Sequence, residues 1–430
     1  MNKSLAKLLL LLIATGMFLP QCIGQDIKYV RKQLERLCSP EFYGRAYYKK
    51  GDSIAAHYLA ERYKEAGLLS FGPDYFQQHS LNVNDLTEVS LKLNDEEMKF
   101  GISYMIHPGS SSYSGTAKPV IIDKDVMMDP SLTLTKLMEG EGEKIIILDS
   151  LGLQNQELYS FVKTIALSGL QGISAVIEIT PTTSIGRVGR KELPVPYFQV
   201  NRTAMPKIIE DVDINVSNQY YDKYTTRNVV GYIPGKSEKT IVFTAHYDMI
   251  GSFGEGNYFP GASDNGSGTA MVLDLIRHFS SGKKPYYTIA FMLFSAEEAG
   301  LVGSRYYTDN PLFPLEKIEL AINLDMVGTG REGVILFNGD KRPREAAIIQ
   351  EINDEKKYMV DVEERIAKAN SDHYPFHEKG VPVIFFLTKG PYVGVHNVLD
   401  TPDKLPLSGY ENLFKLILET LSELQRQEID

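Results

Sequence analysis

Residues 240–248 read TIVFTAHYD, an apolar run that ends in a histidine and an aspartate. Three later segments, at 286–294, 320–324 and 381–387, are similar near-continuous apolar runs rich in Ile, Val and Phe. Such runs are typical of strands that are covered on both faces, as in a parallel sheet. The four runs therefore predict the strands of one buried sheet.

Helical patterns separate and follow these runs. Apolar residues recur at helical spacing over 271–279, between the first two runs. After the last run, Ser408 and Glu411 can form a capping box that opens a helix with an apolar face. Strands that alternate with helices predict an α/β domain over 223–430, with a mostly parallel central sheet flanked by helices.

Two different segments precede this domain. Residues 27–70 look helical, and the stretch at 53–66 carries its apolar side chains on one side before Gly67. We assign 25–84 to a helical part of the α/β domain. Over 85–222, short apolar runs alternate with turn signals, which is typical of a small β-rich or α+β domain. The sequence thus predicts a β-rich unit inserted into the α/β domain.

The first 24 residues have the features of an export signal. Lys3 and Lys7 precede an apolar stretch at 8–19 that is too short to span a bilayer comfortably, and cleavage before Gln25 fits the small residues there. We expect a periplasmic or secreted protein with no stable membrane span. A membrane anchor, or a lipoprotein formed through Cys22, is the alternative, although Gln21 stands where a small residue is expected.

Charge and cysteine content exclude other classes of protein. The formal net charge is -10, which argues against nucleic acid as a partner because phosphate binding depends on a basic surface. The chain has two cysteines, and Cys38 would be alone after cleavage of the signal, so a disulfide framework is excluded. We expect Cys38 to be a small buried side chain.

Six residues with metal-binding side chains stand where apolar runs give way to turns. They are His246, Asp264, Glu297, Glu298, Asp325 and His396. Ligands of open α/β sheets bind at the carboxyl ends of the strands, so these side chains are expected to meet. Each residue alone can be explained without metal binding, for example as a turn histidine or a helix N-cap. Such separate explanations do not account for six of these residues at one edge of a sheet.

Imidazole and carboxylate ligands in a tight site are typical of zinc, although Co²⁺ or Mn²⁺ would fit the same set. Two metal ions need one bridging carboxylate and two terminal ligands each. Five of the six residues then bind metal, and one acid is left for proton transfer. Asp248, two residues after His246, is placed to accept the second imidazole N–H and to fix its tautomer.

Several motifs around these residues resemble the M28 family of zinc aminopeptidases. They are His246-Tyr247-Asp248, GASDNGSG at 261–268, AEEAGLVGS at 296–304, NLDM at 323–326, SDH at 371–373, and His396 with Asp400-Thr401. The likeness covers about 226–430 and extends more weakly to Gly44-Arg45. The unit at 85–222 resembles the protease-associated domain that is also found inserted in this family.

The resemblance implies a role for each of the six residues. His246 and Asp325 would hold one Zn²⁺, Glu298 and His396 the other, Asp264 would bridge the two, and Glu297 would be the general base. The implied activity is that of an exported dizinc aminopeptidase. It would hydrolyse N-terminal residues from peptides with a free N-terminus, through a metal-bound hydroxide and the glutamate base.

The part of the site that would contact substrate differs from the family pattern. Relatives often carry a tyrosine or arginine just before the SDH stretch, but residues 367–370 here read AKAN. Tyr374, Tyr392 and Arg305 are candidates for substrate binding in its place. Phe376 and Phe385 could line an apolar pocket, but packing in the core of a strand is the simpler explanation.

Three other functions are compatible with parts of the pattern. A glutaminyl cyclase shares the fold and most ligands, but the inserted unit, Asp400-Thr401 and the absence of tryptophan count against it. A carboxypeptidase of the same superfamily would need a basic pocket, and no arginine cluster is evident. A metal-free receptor with this fold would lack the metal-binding residues, whereas all six are present here. The sequence leaves the oligomeric state and the preferred N-terminal residue open.

Overall fold

The computed structural model describes residues 24–138, 142–182, 186–392 and 394–429. The predicted export signal, with Cys22, lies outside the described residues apart from Gly24. Within these ranges, no helix combines the length and the apolar character that crossing a bilayer requires.

The secondary structure alternates between strands and helices over most of its length. The strands are β1 (Phe76–Leu93), β2 (Glu96–Glu97), β3 (Tyr104–Ile106), β4 (Tyr113–Ala117), β5 (Pro119–Asp123), β6 (Lys144–Asp149), β7 (Ile173–Thr180), β8 (Tyr197–Asn201), β9 (Val212–Ile233), β10 (Thr240–His246), β11 (Thr288–Phe294), β12 (Ile318–Leu324), β13 (Gly333–Phe337), β14 (Val362–Arg365) and β15 (Val383–Lys389). The helices are α1 (Ile27–Leu37), α2 (Gly51–Glu65), α3 (Lys124–Met127), α4 (Pro130–Met138), α5 (Gln156–Ala166), α6 (Ser267–Ser281), α7 (Val302–Asp309), α8 (Pro343–Lys356), α9 (His373–Glu378) and α10 (Tyr410–Ile429).

The large sheet has the strand order β14-β13-β15-β12-β10-β11-β9-β1-β2, and β4 also pairs with β9. Strand β10 pairs in parallel with β11 and β12, and β12 pairs in parallel with β15. Strands β9 and β13 add to this parallel centre in the antiparallel direction. The predicted α/β sheet flanked by helices is confirmed, with antiparallel strands added on both sides of its parallel part.

Both faces of the central strand are covered, as its continuous apolar run predicts. All seven residues of β10 are buried. Alternate side chains point to opposite faces of a strand, so Ile241 and Phe243 pack in a core with α6 and α10. Val242 packs in a second core with Tyr307 of α7 and Phe376 of α9. A shift in the register of β10 would expose these apolar side chains. The position of its carboxyl end is therefore fixed.

The N-terminal segment is helical only in part. The helical structure expected over 27–70 is not continuous, because 3₁₀ turns at Pro40–Arg45 and Tyr48–Lys50 separate α1 from α2. Gly44 adopts a φ of +63°, and an added Cβ there would lie 2.4 Å from the main-chain oxygen of Gly251. Pro40 and this close approach of two backbones end the helical pattern. Cys38 is buried and free, as expected, and burial raises the pKa of its thiol to about 12.

A smaller sheet with the order β3-β8-β7-β6-β5 forms within the unit expected to be β-rich. Strands β5, β6, β7 and β8 pair in parallel, and helices α3, α4 and α5 connect three of them. Parallel strands need such crossovers, so of the two expected forms the unit is the one that contains helices as well as strands. The long strands β1 and β9 pair along almost their whole length and continue from the large sheet into the core of this unit.

Candidate metal centre

All six candidate residues lie at the carboxyl edge of the large sheet. His246 is the last residue of β10, Asp325 directly follows β12, and Glu297 and Glu298 follow β11. Asp264 precedes α6. His396 is in the loop after β15, where it has a φ of +54°. Because β10, β11, β12 and β15 run in the same direction, their ends meet here.

Five of the six side chains form two groups that share Asp264. His246 Nε2 lies 3.3 Å from Asp264 Oδ1 and 3.5 Å from Asp325 Oδ1. His396 Nε2 lies 3.1 Å from Asp264 Oδ2 and 3.1 Å from Glu298 Oε2. Each oxygen of Asp264 therefore faces a different histidine, which is the arrangement of a bridging carboxylate.

The donor atoms fit metal ions. The ligand atoms of His246, Asp264 and Asp325 lie within 4.8 Å of one another, and so do those of Asp264, Glu298 and His396. Buried polar atoms usually have a hydrogen-bond partner, yet His246 Nε2, Glu298 Oε1 and Asp325 Oδ1 are buried without one in the described structure. Nitrogen and oxygen donors in two such groups suit two Zn²⁺ ions that share one carboxylate.

Glu297 belongs to neither of these two groups, although its carboxylate forms a third close group with His246 and Glu298, whose ligand atoms also lie within 4.8 Å of one another. Its Oε2 atom is 3.9 Å from His246 Nε2, and its side chain retains 13% of its exposure. Burial raises the pKa of Glu297 well above its usual value. A carboxylate that is close to the metal groups but belongs to neither can exchange protons with a water or a substrate.

Asp248 supports the site through a different atom from the one predicted. The Nδ1 atom of His246 is 3.3 Å from the main-chain oxygen of Asp248 and 3.7 Å from its carboxylate Oδ1. The carboxylate instead accepts the backbone N–H groups of Glu297 at 3.1 Å and Glu298 at 3.3 Å. Asp248 thus fixes His246 with its backbone and the Glu297–Glu298 pair with its side chain.

Asp325 is oriented by a chain of three polar side chains from neighbouring elements. Ser371 Oγ donates to Asp325 Oδ2 at 2.7 Å, and Asn323 Nδ2 donates to Ser371 Oγ at 2.8 Å. Thr244 Oγ1 in turn donates to Asn323 Oδ1 at 2.7 Å. One oxygen of Asp325 is therefore held by hydrogen bonding, and the other is left for a metal ion.

The segment that carries Asp264 is fixed from two sides. The Asp400 carboxylate accepts the backbone N–H groups of Ser263 and Asp264, at 2.8 and 3.2 Å. Asn265 Nδ2 donates to the main-chain oxygen of Leu324 at 2.9 Å, which ties the segment to the end of β12. These contacts keep the shared carboxylate between the two histidines.

A buried arginine also supports this region, although the sequence analysis assigned it no role. Arg45 is fully buried and donates to the main-chain oxygens of Leu37, Tyr247, Pro260 and Gly261. Buried charges need such compensation. Tyr247 follows His246, and Gly261 begins the segment of Asp264. Arg45 therefore ties the N-terminal segment to the backbone beside two candidate ligands. The motif Gly44-Arg45 was the signal available in the sequence.

The electrostatics of the site are those of histidines surrounded by carboxylates. Burial alone would lower the pKa of His396, but hydrogen bonds to Asp264 and Glu298 outweigh it and raise that pKa to about 11. Burial, together with the Asp264 charge, raises the pKa of Glu298 to about 7. The site therefore favours positively charged ligands.

The three candidates for substrate binding are placed less clearly. Arg305 is exposed and forms an ion pair with Glu378 at 2.6 Å. The Tyr392 hydroxyl donates to Asp400 at 2.5 Å, and Tyr374 is half-buried with its ring beside His377. Arg305 and Tyr392 thus already have partners within the protein. Phe376 and Phe385 are buried in the core, as the simpler explanation of their role expected.

Comparison with known proteins agrees with this geometry. The family model "Peptidase family M28" matches residues 228–421. Aminopeptidase YwaD of Bacillus subtilis is 28% identical over 223 residues, which are 50% of this chain and 46% of that protein. A probable leucine aminopeptidase of Arthroderma otae is 30% identical over 212 residues, 47% of this chain and 58% of that protein. The matched segment thus spans about half the length of these curated relatives.

Solved structures share the fold over nearly the whole chain. A zinc aminopeptidase from Bacillus subtilis aligns with a TM-score of 0.65 at 20% identity, over 92% of this chain and 94% of that chain. An aminopeptidase from Aneurinibacillus sp. strain AM-1 aligns with a TM-score of 0.59 at 19% identity, over 94% of each chain. These structures show that the chain shares their fold, and within it residues 228–421 are similar to peptidase family M28.

Proposed function

We propose that this protein is an exported aminopeptidase that uses two zinc ions. The observation that carries the proposal is the position of Asp264, with one oxygen 3.3 Å from His246 Nε2 and the other 3.1 Å from His396 Nε2. His246 and Asp325 would hold one ion, Glu298 and His396 the other, and Asp264 would bridge them. Bound zinc supplies Lewis acidity, which activates water and polarises a carbonyl; Co²⁺ or Mn²⁺ would fit the same donors.

Glu297 would act as the general base and then as the general acid. Its carboxylate takes the proton from the attacking water and gives it to the amine nitrogen that leaves when the peptide bond breaks. Asp248 holds the backbone of Glu297 in place through the hydrogen bond to its N–H. This shuttle needs a carboxylate that is not a metal ligand, which agrees with the position of Glu297 outside both groups.

The charge of the site favours an aminopeptidase over a carboxypeptidase. The side chains gathered here are carboxylates and imidazoles, and Arg305 is paired with Glu378. Bound zinc would offset much of the carboxylate charge, but a carboxylate can still pair with a protonated α-amine, whereas a terminal carboxylate needs a basic partner and Arg305 is already engaged. The substrate would therefore be a peptide with a free N-terminus.

The proposed domains have the boundaries predicted from the sequence. Residues 1–24 would be a signal peptide, 25–84 and 223–430 would form the catalytic domain, and 85–222 would be an inserted protease-associated domain. The parallel sheet of β5 to β8 supports a separate folding unit within the insertion.

The test is a panel of aminoacyl-arylamides and peptides, each with an N-acetylated counterpart, assayed on protein that starts at Gln25. We expect two zinc ions per chain, hydrolysis of the free-amine substrates only, loss of activity with a chelator and recovery with added zinc. Cleavage of the N-acetylated substrates would contradict the proposal. One zinc per chain with cyclisation of N-terminal glutamine would show a glutaminyl cyclase instead.

A further inference from the structure

The inserted unit contacts the loop that carries His396 at two places. The backbone N–H of Gly186 donates to the main-chain oxygen of His396 at 2.8 Å. Gly101 lies so close to Val398 that an added Cβ would be 2.5 Å from its Cγ1 atom. Both contacts come from the insertion and both act within two residues of the candidate ligand.

A third contact reaches the segment that carries Glu298. Arg190 Nη1 donates to the main-chain oxygen of Ala299, the next residue, at 3.2 Å. The loop that provides this arginine is itself fixed to β1. Its Gly189 oxygen accepts the backbone N–H of Asn84 at 2.9 Å, and Arg190 Nη2 donates to Asn82 Oδ1 at 2.9 Å.

The other two terminal ligands are supported from elsewhere. Ser371 holds the carboxylate of Asp325, and Thr269 Oγ1 donates to the main-chain oxygen of His246 at 2.8 Å. In the part of the chain that the structure describes, no hydrogen bond joins residues 85–222 to His246 or Asp325. Among the described residues, the hydrogen bonds of the insertion at this site thus reach the half of the metal centre that Glu298 and His396 form.

We propose that the inserted unit positions His396 and Glu298, and thereby sets the affinity of one of the two zinc ions. The inference rests on the proposed dizinc function and extends it. Zinc ligands must lie within a few tenths of an ångström of their place, and outer supports of a ligand typically change metal affinity by about 10–100-fold. Gly186 and Arg190 are therefore positioning residues for the ion between Glu298 and His396.

The test compares stepwise zinc binding to the metal-free protein by competition with a chelating dye. The variants are Gly186→Ala, whose Cβ would lie 2.6 Å from the Phe259 ring, and Arg190→Ala. We expect each to weaken one of the two zinc equivalents by about 10-fold and to leave the other unchanged. Arg190→Lys, which keeps a donor, should recover part of the loss. Zinc-edge anomalous scattering should locate the loss at Glu298 and His396.

Two further variants control the experiment. Lys191 is exposed in the same loop as Arg190, and its side chain has no hydrogen bond or ion pair among the described residues. Lys191→Ala should therefore change neither zinc affinity. Ser371→Ala should weaken the ion at His246 and Asp325 instead. Circular dichroism shows whether each variant is folded; if Gly186→Ala unfolds, the exposed Arg190 variants decide the outcome.

Equal weakening of both zinc ions, or no change in either, in the Arg190 variants would overturn the inference. Because the readout is zinc binding, it is independent of catalysis. A wild-type protein that binds two zinc ions but releases no N-terminal residue would remove the proposed aminopeptidase function and leave this inference standing.

Discussion

At the scale of single residues, Glu297 is the side chain on which the proposed chemistry depends most. Glu297→Gln keeps the size of the side chain and removes its ability to accept a proton. Since Glu297 is not part of the two groups that share Asp264, we expect the variant to fold and to bind two zinc ions, while kcat falls by about 10²–10⁴-fold. Steady-state kinetics with metal analysis measures both effects. Hydrolysis at the wild-type rate would remove Glu297 from the mechanism.

The burial of Asp85 should make the free energy of unfolding depend on pH. This residue of β1 is buried, and its carboxylate has no hydrogen bond or ion pair among the described residues. Burial, and secondarily the charge of Asp52, raises its pKa to about 7. An unfolded aspartate ionises near pH 4, so Asp85 lowers the free energy of unfolding progressively as pH rises from about 4 to 7.

We therefore expect Asp85→Asn to raise the free energy of unfolding by about 1–3 kcal/mol at pH 8 and to change it little at pH 4. Urea unfolding at the two pH values measures the difference. Asp95→Asn is the matched control, because Asp95 is exposed in the turn between β1 and β2. An equal effect of Asp85→Asn at both pH values would contradict the ionisation argument.

The residues that could be predicted from the sequence are those whose chemistry is carried by their own side chains. His246 and Asp325 follow apolar strands, and that pattern alone indicates the edge of a sheet. Arg45 could not be assigned a role, because three of its four main-chain oxygen partners are more than 200 positions away. Backbone carbonyls are present at every residue, so a sequence gives no sign of which ones an arginine will bind.

At the scale of elements, the close contact between α6 and the end of β12 supports the metal centre. An added Cβ at Gly268, in the first turn of α6, would lie 2.2 Å from the main-chain oxygen of Leu324 and 2.4 Å from Asn265 Oδ1. The helix therefore approaches the strand at a distance that only glycine permits. This approach brings the segment of Asp264 next to Asp325.

We expect Gly268→Ala to lower the free energy of unfolding by about 1–3 kcal/mol, because the backbone atoms it would meet cannot move independently. Zinc affinity should fall with it. Gly72→Ala is the control, since an added Cβ there has no atom within 4 Å. Urea unfolding compares the two variants, and equal stability would show that the helix can shift without loss.

The strands of the sheet differ in how well the sequence predicts them. The apolar runs of β10, β11, β12 and β15 are evident because both of their faces are buried. Strand β1 is not evident, because polar residues such as Asn84 interrupt it. Asn84 is nevertheless buried, since its side chain donates to the main-chain oxygens of Pro108 and Ser110. Hydrogen bonds to another segment compensate its burial, and a sequence does not show them.

At the scale of the whole molecule, metal binding and stability should be linked. Asp264, Glu298 and Asp325 converge in one small region, where, among the described residues, their basic partners in the absence of metal are His246 and His396. A ligand at 100 times its dissociation constant stabilises the folded state by about 2.7 kcal/mol. We expect a chelator to lower Tm by several degrees and added zinc to restore it, as calorimetry can measure. An unchanged Tm would mean that no metal binds the folded state.

Arg45 has a consequence for the order in which the chain matures. Its guanidinium joins Leu37 to Tyr247 and Gly261, whose carbonyls are synthesised some 200 residues later. Contacts between such distant residues form late in folding, because the intervening chain must first be available and closed into a loop. A nascent chain that has not yet been extended to His396 also lacks one of the proposed ligands. The proposed metal centre is therefore expected to be complete only after the last part of the chain has been synthesised.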